Sequence, residues 1–180
     1  MPSVYDISVP ICIRALENMR AYIAKAEQWC VNNDRPKESL LKSSLAPDMK
    51  TLAFQVFMAT DNAKDVVVQV GGLEDPGWPT AWQMSPETTL PEVYSRIDQA
   101  VKFLRGVDAK IFDDKESKEV SMSAGPMELK FTGLSYVQLY ILPNFFFHCT
   151  ICYTIARNLG VELGKWDFVG GNRIQDVERM

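Results

Sequence analysis

The fold class follows from one stretch, residues 135–159, which reads SYVQLYILPNFFFHCTICYTIARNL. Residues spaced three or four apart predict its buried stripe: Val137, Ile141, Phe145, His148, Cys152, Ile155 and Leu159. Other apolar residues, such as Phe146, Phe147 and Tyr153, point elsewhere, so the helix is apolar nearly all round. Such a helix is expected to be buried on every side, at the centre of the fold or at an oligomer interface. Pro143 is expected to kink it or to mark its true start.

Three earlier stretches show the same helical period. Together with the fourth, they predict helices over about 7–31, 47–70, 90–105 and 135–159. Each ends at residues that terminate helices, such as the Gly71-Gly72 pair, Gly106 and Gly160. Four amphipathic helices of this length predict an all-α four-helix bundle, in a single domain over 1–180 with a tail at 160–180.

Two links between the predicted helices are long. The first, residues 73–86, is rich in proline and tryptophan and is expected to fold back on the bundle. The second, residues 112–132, alternates apolar and polar side chains on both sides of Gly125-Pro126, which predicts a short β-hairpin between the third and fourth helices. This second link is also long enough for a crossover between parallel helices.

Composition excludes several classes of protein. The 180 residues carry a net charge of -4 without a basic stripe, which argues against nucleic acid as a partner. No apolar stretch of about 18 residues runs without polar interruption, so no membrane span is expected. Because the N-terminal residues do not resemble a secretion signal, the four cysteines are expected to stay reduced in the cytoplasm. No phosphate-binding glycine loop and no serine-hydrolase motif occurs.

The chain contains one histidine, so a site with three imidazole ligands cannot form within it. His148 lies on the core stripe of the fourth helix, where burial would lower its pKa. Asp48, Gln55 and Asn62 follow at seven-residue intervals on the second helix and form a polar line that could face it. Two interpretations stay open: His148 is a core histidine satisfied by a hydrogen bond, or it belongs to an internal site.

Five motifs, spread in order over nearly the whole chain, resemble one family. They are YDISVP at 5–10, LAPDM at 45–49, ATDNAK at 59–64, LPNFFFH at 142–148 and GVELGKWDF at 160–168. Together they resemble a domain-of-unknown-function branch of the DinB/YfiT-like superfamily, found in bacteria and fungi. The resemblance implies a DinB-like up-down-down-up four-helix bundle with a long crossover, often assembled as a homodimer.

The resemblance also implies what this chain lacks. Many superfamily members hold zinc or nickel on three histidines, one from the second helix and two from the fourth. Here the second-helix position resembles Asn62, one fourth-helix position matches His148, and the other falls near Leu139, which cannot ligate. Zinc and nickel sites favour nitrogen and sulfur ligands over an amide oxygen. We therefore predict no metal and no other cofactor.

The leading functional hypothesis is a metal-independent enzyme that acts on a small apolar or aromatic molecule. His148 would serve as the general acid or base and Asn62 would orient it. The predicted substrate-binding residues are Gln55, Asp48, Tyr140, Phe145, Cys152 and Tyr136. An isomerase, dehydratase or cyclase would fit, and a role in fungal specialised metabolism is an analogy only.

Two alternatives belong to other classes. The first is a non-catalytic, dimeric binding or scaffold protein in which the apolar fourth helix forms the interface. The second is a thiol-linked, metal-dependent transferase that uses His148 together with Cys152, which is one helical turn away. The tyrosines at 136 and 140 also have a plain interpretation, because they could simply pack with a wetted hydroxyl.

Overall fold

The computed structural model describes residues 2–79, 83, 89–124 and 127–171. Its α-helices are α1 (Val9–Asn32), α2 (Lys37–Lys42), α3 (Leu52–Asp65), α4 (Leu90–Arg105), α5 (Gly133–Tyr136), α6 (Leu142–Asn158) and α7 (Lys165–Val169). Its strands are β1 (Glu119–Ala124) and β2 (Met127–Thr132). A π-helical turn, Val66–Gly71, extends α3, another, Val137–Ile141, joins α5 to α6, and a short 3-10 helix spans Ala109–Phe112.

Contacts between side chains fix the direction of α4 and α6 relative to α1. Glu17 and Arg20 of α1 pair with Arg105 and Asp98 of α4, so the later residue on one helix meets the earlier residue on the other. These two helices are antiparallel. Tyr22 donates to the carbonyl oxygen of Cys149, and farther along α1 a tryptophan lies over Gly160, so α1 and α6 are parallel.

The direction of α3 completes the up-down-down-up bundle. Gln55 and Asn62 of α3 meet His148 and Asn144 of α6, which makes these helices antiparallel. Since α3 and α4 then both run opposite to α1, the chain must return along the bundle between them. The long crossover is therefore the link 72–89, and not the link between the third and fourth helices that its length had suggested.

The predicted β-hairpin is confirmed. β1 pairs antiparallel with β2, with Glu119 opposite Thr132 and Val120 opposite Phe131. The expected turn residues, Gly125-Pro126, lie outside the described residues. β2 leads directly into α5, where Thr132 caps the helix, and a Cβ on Gly133 would lie 2.1 Å from the carbonyl oxygen of Lys115. Only glycine fits this close approach between the chain segment before the hairpin and the start of α5.

The second bundle helix starts later than the sequence suggested. α3 begins at Leu52, because the Thr51 hydroxyl accepts a hydrogen bond from the Phe54 amide and satisfies one of the free N–H groups of the first turn. The chain before it forms α2 and a turn in which Met49 N–H bonds the carbonyl oxygen of Ala46. Asp48 therefore lies exposed in this turn and not on the helix.

Within the single chain the fourth helix is buried on all but one face, which leaves the oligomer-interface alternative open for that face. Phe145, Cys152 and Ile155 are buried, but Leu139 is 72% exposed and Phe147 is 53% exposed. By length and composition alone, Gly133–Asn158 could span a membrane, a criterion that core helices of bundles also meet. In the structure it packs against α3 and α1. Pro143 lies in the first turn of α6, directly after the π-helical turn, within a helical run that continues from Gly133 to Asn158.

Candidate functional site

A hydrogen-bonded chain fixes His148 between α3 and α6. The Nδ1 atom of His148 lies 2.6 Å from Oε1 of Gln55, and Nε2 of Gln55 donates over 3.1 Å to the carbonyl oxygen of Lys50. Because the amide NH2 of Gln55 is committed to Lys50, its oxygen can only accept, so Nδ1 of His148 must carry the proton. The other ring nitrogen, Nε2, then presents a lone pair.

Burial keeps this imidazole neutral. His148 is 8% exposed, and desolvation lowers its pKa from 6.5 to about 4. At neutral pH the ring is therefore an uncharged group with one committed donor and one acceptor. It can accept a hydrogen bond or, more weakly, a proton.

The next pair of polar residues along α3 and α6, Asn62 and Asn144, leaves one hydrogen-bond donor unpaired. Nδ2 of Asn144 donates to Oδ1 of Asn62 over 3.3 Å. Nδ2 of Asn62 is buried and has no partner in the described part of the chain. A buried amide N–H without an acceptor costs about 1–3 kcal/mol. We call these four residues, Gln55, Asn62, Asn144 and His148, the polar seam.

Of the other predicted substrate-binding residues, none bonds His148 or Asn62 in the described part of the chain. Tyr136 and Tyr140 stack on each other with ring centroids 5.7 Å apart, and both pack on Phe131 of the hairpin. Burial raises the pKa of Tyr136, so its hydroxyl stays protonated. Phe145 is fully buried in the core, and Asp48 is exposed before α3.

Cys152 faces a different neighbour from His148. The Cys152 thiol lies against the hydroxyl of Tyr22 on α1, while the imidazole of His148 faces Gln55 on α3. Burial raises the pKa of Cys152 to about 12, so the thiol is protonated at neutral pH. The described residues contain no cluster of three or more His, Cys, Asp and Glu that could hold a metal. The donor set of the polar seam, one imidazole and three amides, does not fit a zinc or nickel site.

A buried ionic cluster beside the seam escaped the sequence analysis. Arg96 of α4 is 5% exposed, donates to Thr60 over 2.9 Å and pairs with Asp61, the neighbour of Asn62. Its guanidinium lies between the rings of Phe57 and Trp78, each with its centroid 5.2 Å away. The spacing did hold a signal, because Arg96 is three residues after one core position of α4, Val93, and four before another.

Acid is expected to destabilise the fold through His148. Between pH 6.5 and pH 4, the unfolded chain binds a proton that the folded imidazole rejects, so the contribution of His148 to stability is complete above pH 6.5 and is lost as the pH falls. The full loss amounts to about 3 kcal/mol. Urea unfolding of wild type and His148→Gln at several pH values isolates it from the carboxylates. The free energy of unfolding of wild type minus that of the variant should fall by about 3 kcal/mol between pH 6.5 and pH 4, and a constant difference would contradict the neutral, buried imidazole.

Comparison with known proteins identifies the family. A family model described as a domain of unknown function (DUF1993) matches residues 4–169. The crystal structure of a DinB family member protein from Shewanella denitrificans is similar to this chain, with a TM-score of 0.79 and 29% sequence identity over 98% of this chain and 95% of that chain. The curated proteins contain no match. The chain belongs to the DUF1993 family, and its fold is that of the DinB-like superfamily.

Proposed function

We propose that the polar seam binds a small, neutral molecule. The observation that carries this proposal is the chain from Lys50 through Gln55 to His148, which orients Nε2 as an acceptor. Asn62 supplies a buried donor on the same seam. Asn144 and His148 are one turn apart on α6, which corresponds to about 6 Å along the helix axis. A compact neutral group with an N–H or O–H and a carbonyl oxygen, such as a lactam, offers one donor to His148 and one acceptor to Asn62.

The absence of charge on the seam restricts the ligand. None of its four side chains is ionised at neutral pH, and Asp61, the sequence neighbour of Asn62, pairs with Arg96. A charged ligand would lose its hydration without gaining a partner of opposite charge. The aromatic side chains of α6 favour a molecule with an apolar or aromatic body.

Acid–base catalysis is the finer form of the same proposal. With a pKa of about 4, His148 would remove a proton as the neutral base and return it at another atom of the substrate. Asn62 would donate to the oxygen on which charge develops. Isomerisation moves a proton between two atoms of the substrate. In dehydration the proton is returned to the departing hydroxyl, which leaves as water, and in cyclisation it is taken from the attacking group and returned to the atom that is attacked. A place in specialised metabolism stays an analogy.

Binding of neutral lactam fragments, followed by ligand-observed NMR, tests the site. We expect His148→Phe and Asn62→Leu to weaken the best fragment by about tenfold each, since each loses one hydrogen bond in a desolvated place. Thr150→Ala, an exposed change on the same helix, is the matched control and should bind as wild type does. Unchanged affinity in both seam variants would refute the proposed site. If a substrate is found, turnover that survives in His148→Ala would refute the catalytic form.

The macromolecular partner that we propose is a second copy of the chain. Leu139 of the π-helical turn and Pro143 and Phe147 of α6 follow at four-residue intervals, and all three are exposed. This stripe continues the apolar core of the same helix to the surface, and it carries no charge. We propose that it pairs with its equivalent in a homodimer, either as part of the enzyme or in a non-catalytic scaffold.

We also propose a cytoplasmic location. All four cysteines are free and buried in the structure, which suits a reducing compartment.

A further inference from the structure

A cleft opens on the side of the bundle away from the polar seam. α7 lies across α1 and α6, and between the three helices remains a cavity of about 280 Å³. Its apolar walls come from Ile11 and Ala15 of α1, Phe146 of α6 and Phe168 of α7. We call this cavity the α7 cleft.

Polar contacts hold α7 along the edge of the cleft. Arg14 and Asn18 of α1 donate to the carbonyl oxygens of Val169 and Phe168, each over 3.2 Å. Lys25 pairs with Asp167 over 2.7 Å. These contacts fix the backbone of α7, so they hold the third wall in place without filling the space behind it.

Two polar groups at the cleft have bonding capacity that the described residues do not use. Oδ1 of Asn18 is buried and has no donor among the described residues. Arg14 is the one charged side chain among the described lining residues, and the contact with Val169 engages one of its two terminal NH2 groups. A guanidinium has five N–H donors and binds carboxylates well.

We propose that the α7 cleft binds a small aromatic carboxylic acid. The ring would lie between Phe146 and Phe168, where aromatic rings favour edge-to-face contacts. The carboxylate would meet Arg14 at the rim. Asn18 adds no preference for a ring substituent, because its unpaired Oδ1 lies against Gly170 and is closed off from the cleft. The volume of about 280 Å³ suits one ring with a short side chain.

Calorimetry with para-hydroxyphenylacetate on the full chain tests the proposal. Arg14→Gln should weaken binding by about tenfold, as expected for the loss of a charge-assisted contact. Arg20→Gln is the matched control, because it removes the same charge from the α4 side of the same helix and should change nothing. Ala15→Phe should fill the cleft and abolish binding. Para-cresol, which lacks the carboxylate, should bind more weakly, whereas phenylacetate, which keeps it, should bind comparably.

Three results would overturn the proposal: no binding by wild type at millimolar ligand, equal weakening in the two arginine variants, or undiminished binding in a folded Ala15→Phe protein. Arg14 is exposed, so Arg14→Gln keeps the test decisive even if the larger side chain prevents folding. His148→Phe separates this site from the polar seam. Binding of the acid should survive that change, and its loss would assign the acid to the seam instead.

Discussion

Arg96→Met is expected to lower the free energy of unfolding by about 3–5 kcal/mol. The substitution conserves the length and apolar stem of the side chain but removes its charge. Asp61, which is 8% exposed, would then stay buried without the guanidinium that compensates its carboxylate. Thr60 would lose the donor that its hydroxyl accepts over 2.9 Å. Most of the expected loss comes from leaving the Asp61 carboxylate buried without the arginine. The net contribution of the intact pair to the free energy of unfolding is much smaller.

The surroundings of Arg96 explain why the effect should be large. Burial lowers its pKa while Asp61 raises it, and a guanidinium stays protonated in either case. The Phe57 and Trp78 rings on its two sides exclude water, so the attraction is screened less than at the surface. Trp78 belongs to the link 72–89, so the same contact fastens the start of the crossover to the bundle.

Urea unfolding of three variants separates the net contribution of the Arg96–Asp61 pair from the cost of burying one charge alone. Arg20→Met removes an arginine from an exposed pair with Asp98 and should cost less than about 1 kcal/mol. The double variant Asp61→Leu, Arg96→Met removes both charges and should recover much of the loss of the single variant. Equal losses of unfolding free energy in Arg96→Met and Arg20→Met would show that the buried pair contributes no more to stability than an exposed pair.

The helices could be predicted from the sequence because each satisfies local rules. α4 spans the expected residues, 90–105. Thr89 and Glu92 form a capping box at its start, and Gly106 follows its last residue. The start of α3 could not be placed, because Pro47 and Thr51 are both acceptable near a helix N-terminus and only the contacts of α2 decide between them. The position of the crossover depends on which helices are parallel, and helical spacing carries no direction.

The candidate site, like the fold, could be predicted from the sequence only in part. Spacing placed His148 on a core stripe and Gln55 and Asn62 on a facing line, and the structure brings all three to the α3–α6 seam. Asn144 was missed, because a residue next to Pro143 is normally assigned to a helix start. Arg96 was missed because its sequence neighbours, Ser95 and Asp98, make the segment look like a solvated face. The catalytic roles of His148 and Asn62 remain predictions.

Phe145→Ala should destabilise the monomer by about 3–5 kcal/mol, whereas Phe147→Ala should leave its stability within about 0.5 kcal/mol. The two phenylalanines are two residues apart on α6, but Phe145 is fully buried and Phe147 is 53% exposed. The first substitution opens a cavity between helices that cannot close around it. The second removes surface that already touches water. Urea unfolding at low protein concentration compares both with Thr150→Ala, the exposed control on the same helix.

For self-association the order of the two effects should reverse, so that Phe147→Ala has the larger effect. If α6 forms the proposed homodimer interface, Phe147→Ala removes a large apolar group from its centre, and interface aromatics of this kind often carry 2 kcal/mol or more, about thirtyfold in the dissociation constant. Sedimentation velocity over a concentration series would then show a dimer for wild type and Thr150→Ala, and a monomer for Phe147→Ala at the same concentration. A wild-type chain that stays monomeric throughout would contradict the interface. The stripe of Leu139, Pro143 and Phe147 would then be an exposed apolar patch without a second copy to cover it.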